Sequence, residues 1–355
     1  MKYTCNYHLP NRLRPTFVML IFFCISICAQ HVPRQYVAQK ITDRIQIDGE
    51  AKEVSWEKAE WSANFIDIEG QKSPRYRTRM KMLWDDTYLY FFAQMEEPHV
   101  WANLKKRDTV IFYNNDFEIF IDPDGDTHNY YEFEMNALNT VWDLFLTKPY
   151  RNRGKIIDSW DIQGLKTAVH IDGTINDSDD QDNGWGVEIA IPWKVLTEAS
   201  ASNEVPKNQF WRINFSRVNW DFDLKNGQYS RKKDGNGKFL PEYNWVWSPQ
   251  GVINMHEPEH WGYVFFSVDG SDKFDIPKDD YLKWYLYVLA RKLWTAEKEN
   301  NAEIPELQET FEFEGRSITP VLNRYGNGWN VTIRSPFSNT ILSVSEDGKF
   351  TKYDQ

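Results

Sequence analysis

The stretch NNDFEIFIDPDGD, residues 114–126, decides the fold. Phe117, Ile119 and Ile121 alternate with Glu118 and Phe120, so one set of side chains faces each way with a period of two. That period belongs to a half-buried β-strand, and the Asp-Pro-Asp-Gly-Asp run that follows is turn chemistry.

The same pattern recurs on both sides. RTRMKMLWDD from Arg77 and TYLYFFAQM from Thr87 precede it, and YYEFEMNAL from Tyr130, GWGVEIAIP from Gly184, WRINFSRVNW from Trp211 and HWGYVFFSV from His260 follow. Short strands divided by Gly, Asn, Asp and Pro, with no alternating helices, predict an all-β chain built as an antiparallel, jelly-roll-like β-sandwich. The chain holds 16 Trp, 18 Tyr and 22 Phe, enough to fill such a core and still leave rings for stacking on sugar. Residues 176–184 and 225–238 read as polar loops.

After Asp269 the pattern changes. Pro277, Asp279 and Asp280 form a helix start, and Leu282, Leu286, Leu289 and Leu293 then recur at helical spacing. This predicts an amphipathic helix ending near Glu299, then a small β extension from Thr310. At the other end, Lys2, Arg12 and Arg14 precede an apolar run at residues 17–28 and a small residue, Ala29. That is the make-up of a secretory signal peptide, and the run is shorter than the roughly 20 residues that cross a bilayer. The expected organisation is therefore 1–29 signal peptide, 30–268 sandwich and 269–355 helix plus short strands. A lipid anchor on Cys28 is the alternative to cleavage after Ala29.

Cys5, Cys24 and Cys28 all lie in this leader, so the mature chain has no disulfide, thiolate metal site or cysteine nucleophile. Losing the three leader cations takes the net charge from −11 to −14, which argues against a nucleic-acid partner. No later stretch is apolar for long enough to be a transmembrane segment.

Five blocks, taken in order, give the chain a family likeness. They are IDGEAKEVSWEKAEW from Ile47, MLWDDTYLYFFAQMEEP from Met82, NNDFEIFIDPDGD with YYEFEMNALNTVWD, GWGVEIAIPWKVL from Gly184, and WRINFSRV with the closing HWGYVFF. Over about residues 37–268 the chain resembles the family 9 carbohydrate-binding modules of polysaccharide-degrading bacteria. The resemblance implies a terminal sugar held between two rings, with polar side chains reading its hydroxyls. The first ring position corresponds to Phe112 and Tyr113, and the second to Met255 in INMHEPEHWG, where this chain has no ring. The family's acidic contact corresponds to Glu118, its basic contact to Glu134 and its asparagine to Asn136. Trp142, farther along, offers a replacement ring.

Asp122, Asp124 and Asp126 cluster three carboxylates that could hold calcium, although their spacing is not that of a calcium loop. No other cofactor is required. No Ser-His-Asp signature, HExxH or Gly-rich phosphate loop is present. The expected function is non-catalytic binding of an oligo- or polysaccharide in extracytoplasmic polysaccharide catabolism, in the periplasm, at the cell surface or secreted. A glycoside hydrolase or other polysaccharide-active enzyme is the second reading. The third is a cell-envelope interaction module without sugar, with residues 269–355 as its surface for an envelope partner.

Overall fold

The computed structural model describes residues 32–299, 310–326 and 328–354. The signal peptide assigned to residues 1–29, and Cys28 with it, lies outside the described residues.

Hydrogen bonding runs unbroken from Val141–Leu146 through Tyr130–Asn136, Asp116–Asp122, Phe210–Asn219, Gly262–Ser267, Gln35–Lys40, Thr78–Trp84 and Tyr88–Glu96 to Gly184–Pro192 and Lys166–Asp172. One apolar cluster takes Phe117, Ile119, Ile121 and Phe133 from the first half of this path and Met82, Phe91, Val187 and Ile189 from the second. The two halves therefore lie face to face as a sandwich over a shared core. The strand Phe210–Asn219 helps the sheet curl. Its residues 210–213 pair with 262–265, while residues 216–219 pair with Tyr243–Val246.

Two expectations need correction. Gln35–Lys40 runs parallel to both its neighbours, Gly262–Ser267 and Thr78–Trp84, so the sandwich is not wholly antiparallel. Strand periodicity says nothing about direction. A parallel neighbour needs a long connection, which the chain between Lys40 and Thr78 supplies, including the short helix Val54–Lys58. Second, Asp116–Asp122 is buried along its whole length instead of half-buried, because loops roof the face opposite the core.

The sequence blocks meet in space. Asp48 and Gly49 donate backbone N–H bonds of 2.9 and 3.1 Å to one oxygen of Glu188, and the Trp56 indole donates a 2.9 Å bond to the other. Gly49 is required here. Its φ is +89°, and a Cβ would lie 2.6 Å from the His170 nitrogen. The Trp-Asp-Asp turn and the Pro-Trp corner also join, since the Trp193 indole donates 2.7 Å to the Asp85 carbonyl.

The helix Lys278–Lys298 buries Leu282, Leu286, Leu289 and Leu293 against the four-stranded sheet Val321–Tyr325, Gly328–Arg334, Thr340–Ser345 and Phe350–Asp354. The described residues form one compact unit. The extension docks on the sandwich through Tyr263, whose hydroxyl donates 2.7 Å to Asp280, and through Thr127, whose hydroxyl donates 2.8 Å to the Gly348 carbonyl. Among the described residues, no helix is long and apolar enough to cross a membrane.

Candidate functional site

Strand alternation carries the core residues of Asp116–Asp122 and Tyr130–Asn136 inward and sends Glu118, Phe120, Glu132 and Glu134 to the opposite face. Val141–Leu146 adds Trp142 and Leu144 to that face. These side chains floor a cavity of about 280 Å³. Its walls come from Phe112, Tyr150, Glu242, Asn244 and the segment Ile253, Asn254, Met255 and His256.

Five of the residues singled out from sequence thus converge: Phe112, Glu118, Glu134, Trp142 and Met255. Two do not. Tyr113 lies outside the cavity lining, 44% exposed, with the Arg231 guanidinium 4.3 Å from its ring centroid. One face of that ring is therefore taken by a cation instead of being open for stacking. Asn136 is committed to its own turn. Its amide nitrogen donates to the Leu104 carbonyl (2.9 Å) and Asn114 (3.3 Å), and its oxygen accepts from the backbone N–H groups of Leu138 and Thr140. That exhausts the hydrogen-bonding capacity of an amide.

The cavity also contains Glu132, Tyr150 and His256, which the sequence reading did not assign to a sugar site. Glu132 could have been found, since it is two positions from Glu134 on the same strand and shares its face. Tyr150 and His256 come from loops far apart in sequence, where periodicity carries no signal. The Tyr150 ring centroid stands 4.2 Å from that of His256, so Tyr150 supplies the aromatic surface that Met255 does not.

The floor is strongly acidic. Glu118 and Glu134 are direct cross-strand partners, and carboxyl oxygens of Asp116, Glu118 and Glu134 all lie within 4.8 Å of one another. Burial, then neighbouring carboxyls, pushes Asp116, Glu132 and Glu134 well above the usual carboxylate range. Burial raises Glu118 to about 7. A protonated carboxyl both donates and accepts, which suits a hydroxyl-rich ligand. Burial, helped by Arg151, lowers His256 to about 3, so its imidazole is neutral and shares a 2.9 Å hydrogen bond with the Tyr130 hydroxyl.

The Met255 loop is held from behind by the C-terminal helix. Arg151 pairs with Glu257 at 3.2 Å and Glu259 at 2.9 Å, and Arg291 of Lys278–Lys298 pairs with both. Burial alone would raise Glu259, but Arg151 and Arg291 overcome it and hold the carboxyl at about 2. The extension thus fixes one wall of the cavity.

Asp122, Asp124 and Asp126 also come together. Two lysines meet them, however. Lys349 pairs with Asp126 at 3.0 Å, and the Lys283 ammonium donates to the Gly125 carbonyl within the turn. Asp122 is further occupied by the N–H groups of Gly125 and Thr127, both at 2.9 Å. The chain thus brings positive charge of its own to these carboxyls, and much of their oxygen capacity is spent. Chelation with EGTA is expected to leave the thermal midpoint unchanged; a fall in the scan would return these residues to the metal.

Comparison with known proteins gives the family. The family described as Carbohydrate family 9 binding domain-like matches residues 47–230, just over half of the chain. The chain belongs to this family. Among curated relatives, Exoglucanase XynX of Acetivibrio thermocellus is 28% identical over 117 residues, 33% of this chain and 9% of the relative. Endo-1,4-beta-xylanase A of Thermoanaerobacterium saccharolyticum is 27% identical over 122 residues, 34% of this chain and 9% of the relative. The matching stretch thus spans about a tenth of either enzyme. Among solved structures, a family 9 carbohydrate-binding module of Caldicellulosiruptor kristjanssonii in complex with cellotriose is 16% identical, with 69% of this chain and 98% of that chain covered and a TM-score of 0.43. A putative carbohydrate-binding protein of Bacteroides uniformis is 16% identical, with 66% and 99% covered and a TM-score of 0.48.

Proposed function

We propose that this family 9 chain is a non-catalytic carbohydrate-binding protein, and that the cavity above Glu118 and Glu134 is its sugar site. The observation that carries this reading is the convergence of Trp142, Tyr150 and Phe112 with a buried carboxyl floor. Rings offer flat apolar surface to the C–H face of a pyranose, and protonated carboxyls offer both halves of a hydroxyl's hydrogen bonding. Export to the periplasm, cell surface or medium, in the service of polysaccharide breakdown, is part of the same proposal. The leader composition and the polysaccharide-degrading names of the curated relatives support it. We assign the extension a bracing role, through Arg291 to the Met255 loop, in place of recruiting an envelope partner.

Calorimetry with oligosaccharides tests the site. Trp142→Ala is expected to weaken binding about tenfold, since a stacked ring is worth on the order of 1 kcal/mol beyond the area it buries. Unchanged affinity in that variant would move the site elsewhere. Release of reducing sugar by the pure protein, abolished by Glu118→Gln, would favour the hydrolase reading instead.

A further inference from the structure

Among the described residues, four groups of three or more acidic or histidine side chains are drawn together. Three are met by cations of the chain. Arg107 pairs with Asp108, Asp143 and Asp161, Arg151 and Arg291 pair with Glu257 and Glu259, and Lys283 and Lys349 reach the 122–126 turn. The fourth is Asp116, Glu118 and Glu134; Glu118 and Glu134 floor the cavity, and among the described residues no lysine or arginine lines it. Two of the carboxyl oxygens here make no hydrogen bond among the described residues: Asp116 Oδ2 and Glu132 Oε2. Asp116 is 0% and Glu132 5% exposed, and Glu132 lines the cavity directly. Buried carboxyl oxygens normally have partners, so their lack here points to a group that arrives with the ligand.

We infer that the cavity takes an amino sugar, whose protonated amine is seated on the Asp116, Glu118 and Glu134 carboxyls while its ring lies against the aromatic wall. The inference rests on the sugar-binding reading above and narrows it to a substrate class. An ammonium has three donors at tetrahedral angles, and hydrogen bonds of about 2.8 Å along them put the acceptors about 4.6 Å apart. The three carboxyl oxygens lie within 4.8 Å of one another, which accommodates that triangle. A divalent cation is the competing occupant, since calcium takes 6–8 oxygen ligands and Glu132, Glu242, Asn244 and Asn254 line the same cavity. The aromatic wall of Phe112, Trp142 and Tyr150 favours a ligand that carries apolar surface as well as charge.

Binding a cation here has a proton signature. The titratable groups lining the cavity are Glu118 from one strand, Glu132 and Glu134 from the next, Tyr150, Glu242 from beside the Tyr243–Val246 strand, and His256 from the roof loop with Arg151 behind it; Asp116 is buried beside Glu118 and Glu134. Burial keeps the carboxyls protonated above their usual range and His256 neutral. An incoming ammonium stabilises the ionised carboxylates, so the complex forms with proton release to buffer.

The test is titration calorimetry of the full protein with a β-1,4-linked glucosamine tetramer, its N-acetylated counterpart and the glucose tetramer. Each is run at pH 6.5 in two buffers of different ionisation enthalpy. The glucosamine oligomer is expected to bind at least about tenfold more tightly than the other two, as a charge-assisted set of hydrogen bonds should. Its apparent enthalpy should shift between buffers while that of the glucose oligomer does not. Glu134→Gln and, independently, Glu118→Gln should each cut the preference to about threefold or less. A glucose oligomer bound as tightly as the glucosamine one overturns the inference and leaves the sugar-binding reading standing. A protein that binds none of the three, nor any glycan on an array, overturns both. Saturable calcium binding without sugar, lost in Glu134→Gln and competing with the glucosamine oligomer, overturns the inference by making the trio a metal site.

Discussion

Glu188→Ala is expected to cost about 4 kcal/mol of folding free energy, read as a shift in the denaturant midpoint. The carboxyl accepts from the backbone N–H groups of Asp48 and Gly49 and from the Trp56 indole, and Glu188 and Trp56 are both 0% exposed. Removing the acceptor leaves three donors unpaired, two of them buried at about 1–3 kcal/mol each, and water entering the space recovers part of that. The effect exceeds that of a typical single substitution because one side chain ties the start of the family 9 region to the Gly184–Pro192 strand. Glu188→Gln, which keeps an acceptor oxygen, should lose less than half as much. A loss under about 1 kcal/mol for the alanine variant would mean that this carboxyl does not organise the fold.

The second large effect is on pH. Stability is expected to fall by at least about 2 kcal/mol between pH 6.5 and 8.5, followed by chemical unfolding at each pH. Glu118 and Glu188 are raised to about 7, chiefly by burial, and Asp116, Glu132 and Glu134 are raised well above their usual range. Carboxyls of the unfolded chain are already ionised at pH 6.5, so within this window the folded protein holds protons that the unfolded chain has released. Stability from a raised group is full below its unfolded value and is lost as pH climbs through the folded one. The lowered histidines, His128, His256 and His260, act in the opposite sense, but mostly below the window, because unfolded imidazoles are already half deprotonated at about pH 6.5. Stability that rises between pH 6.5 and 8.5 would contradict the picture of a protonated floor.

Much of this was legible in the sequence, for a physical reason. Period-two alternation in DFEIFID placed Phe117, Ile119 and Ile121 in the core and Glu118 on the opposite face, where the cavity lies. Alternation is local and survives any tertiary context that keeps the strand. What lay beyond reach depends on distant parts of the chain meeting. Tyr150 joins His256 across the cavity roof, and Lys283 reaches the 122–126 turn from the C-terminal helix. Tyr113 follows the same rule, because the Arg231 that covers its ring belongs to a hairpin more than a hundred residues later. Asn136 was a different case. It was assigned through the family resemblance, but at a strand end an asparagine side chain is drawn into the turn that follows, as its bonds to Leu138 and Thr140 show.

The most direct test of the central claim is a crystal structure with the tightest-binding glycan from an array. Sugar density in the cavity, with a pyranose face on Trp142 or Tyr150 and polar contacts to Glu118 and Glu134, is the predicted result. Density on another surface of the sandwich, with this cavity unchanged, would contradict it.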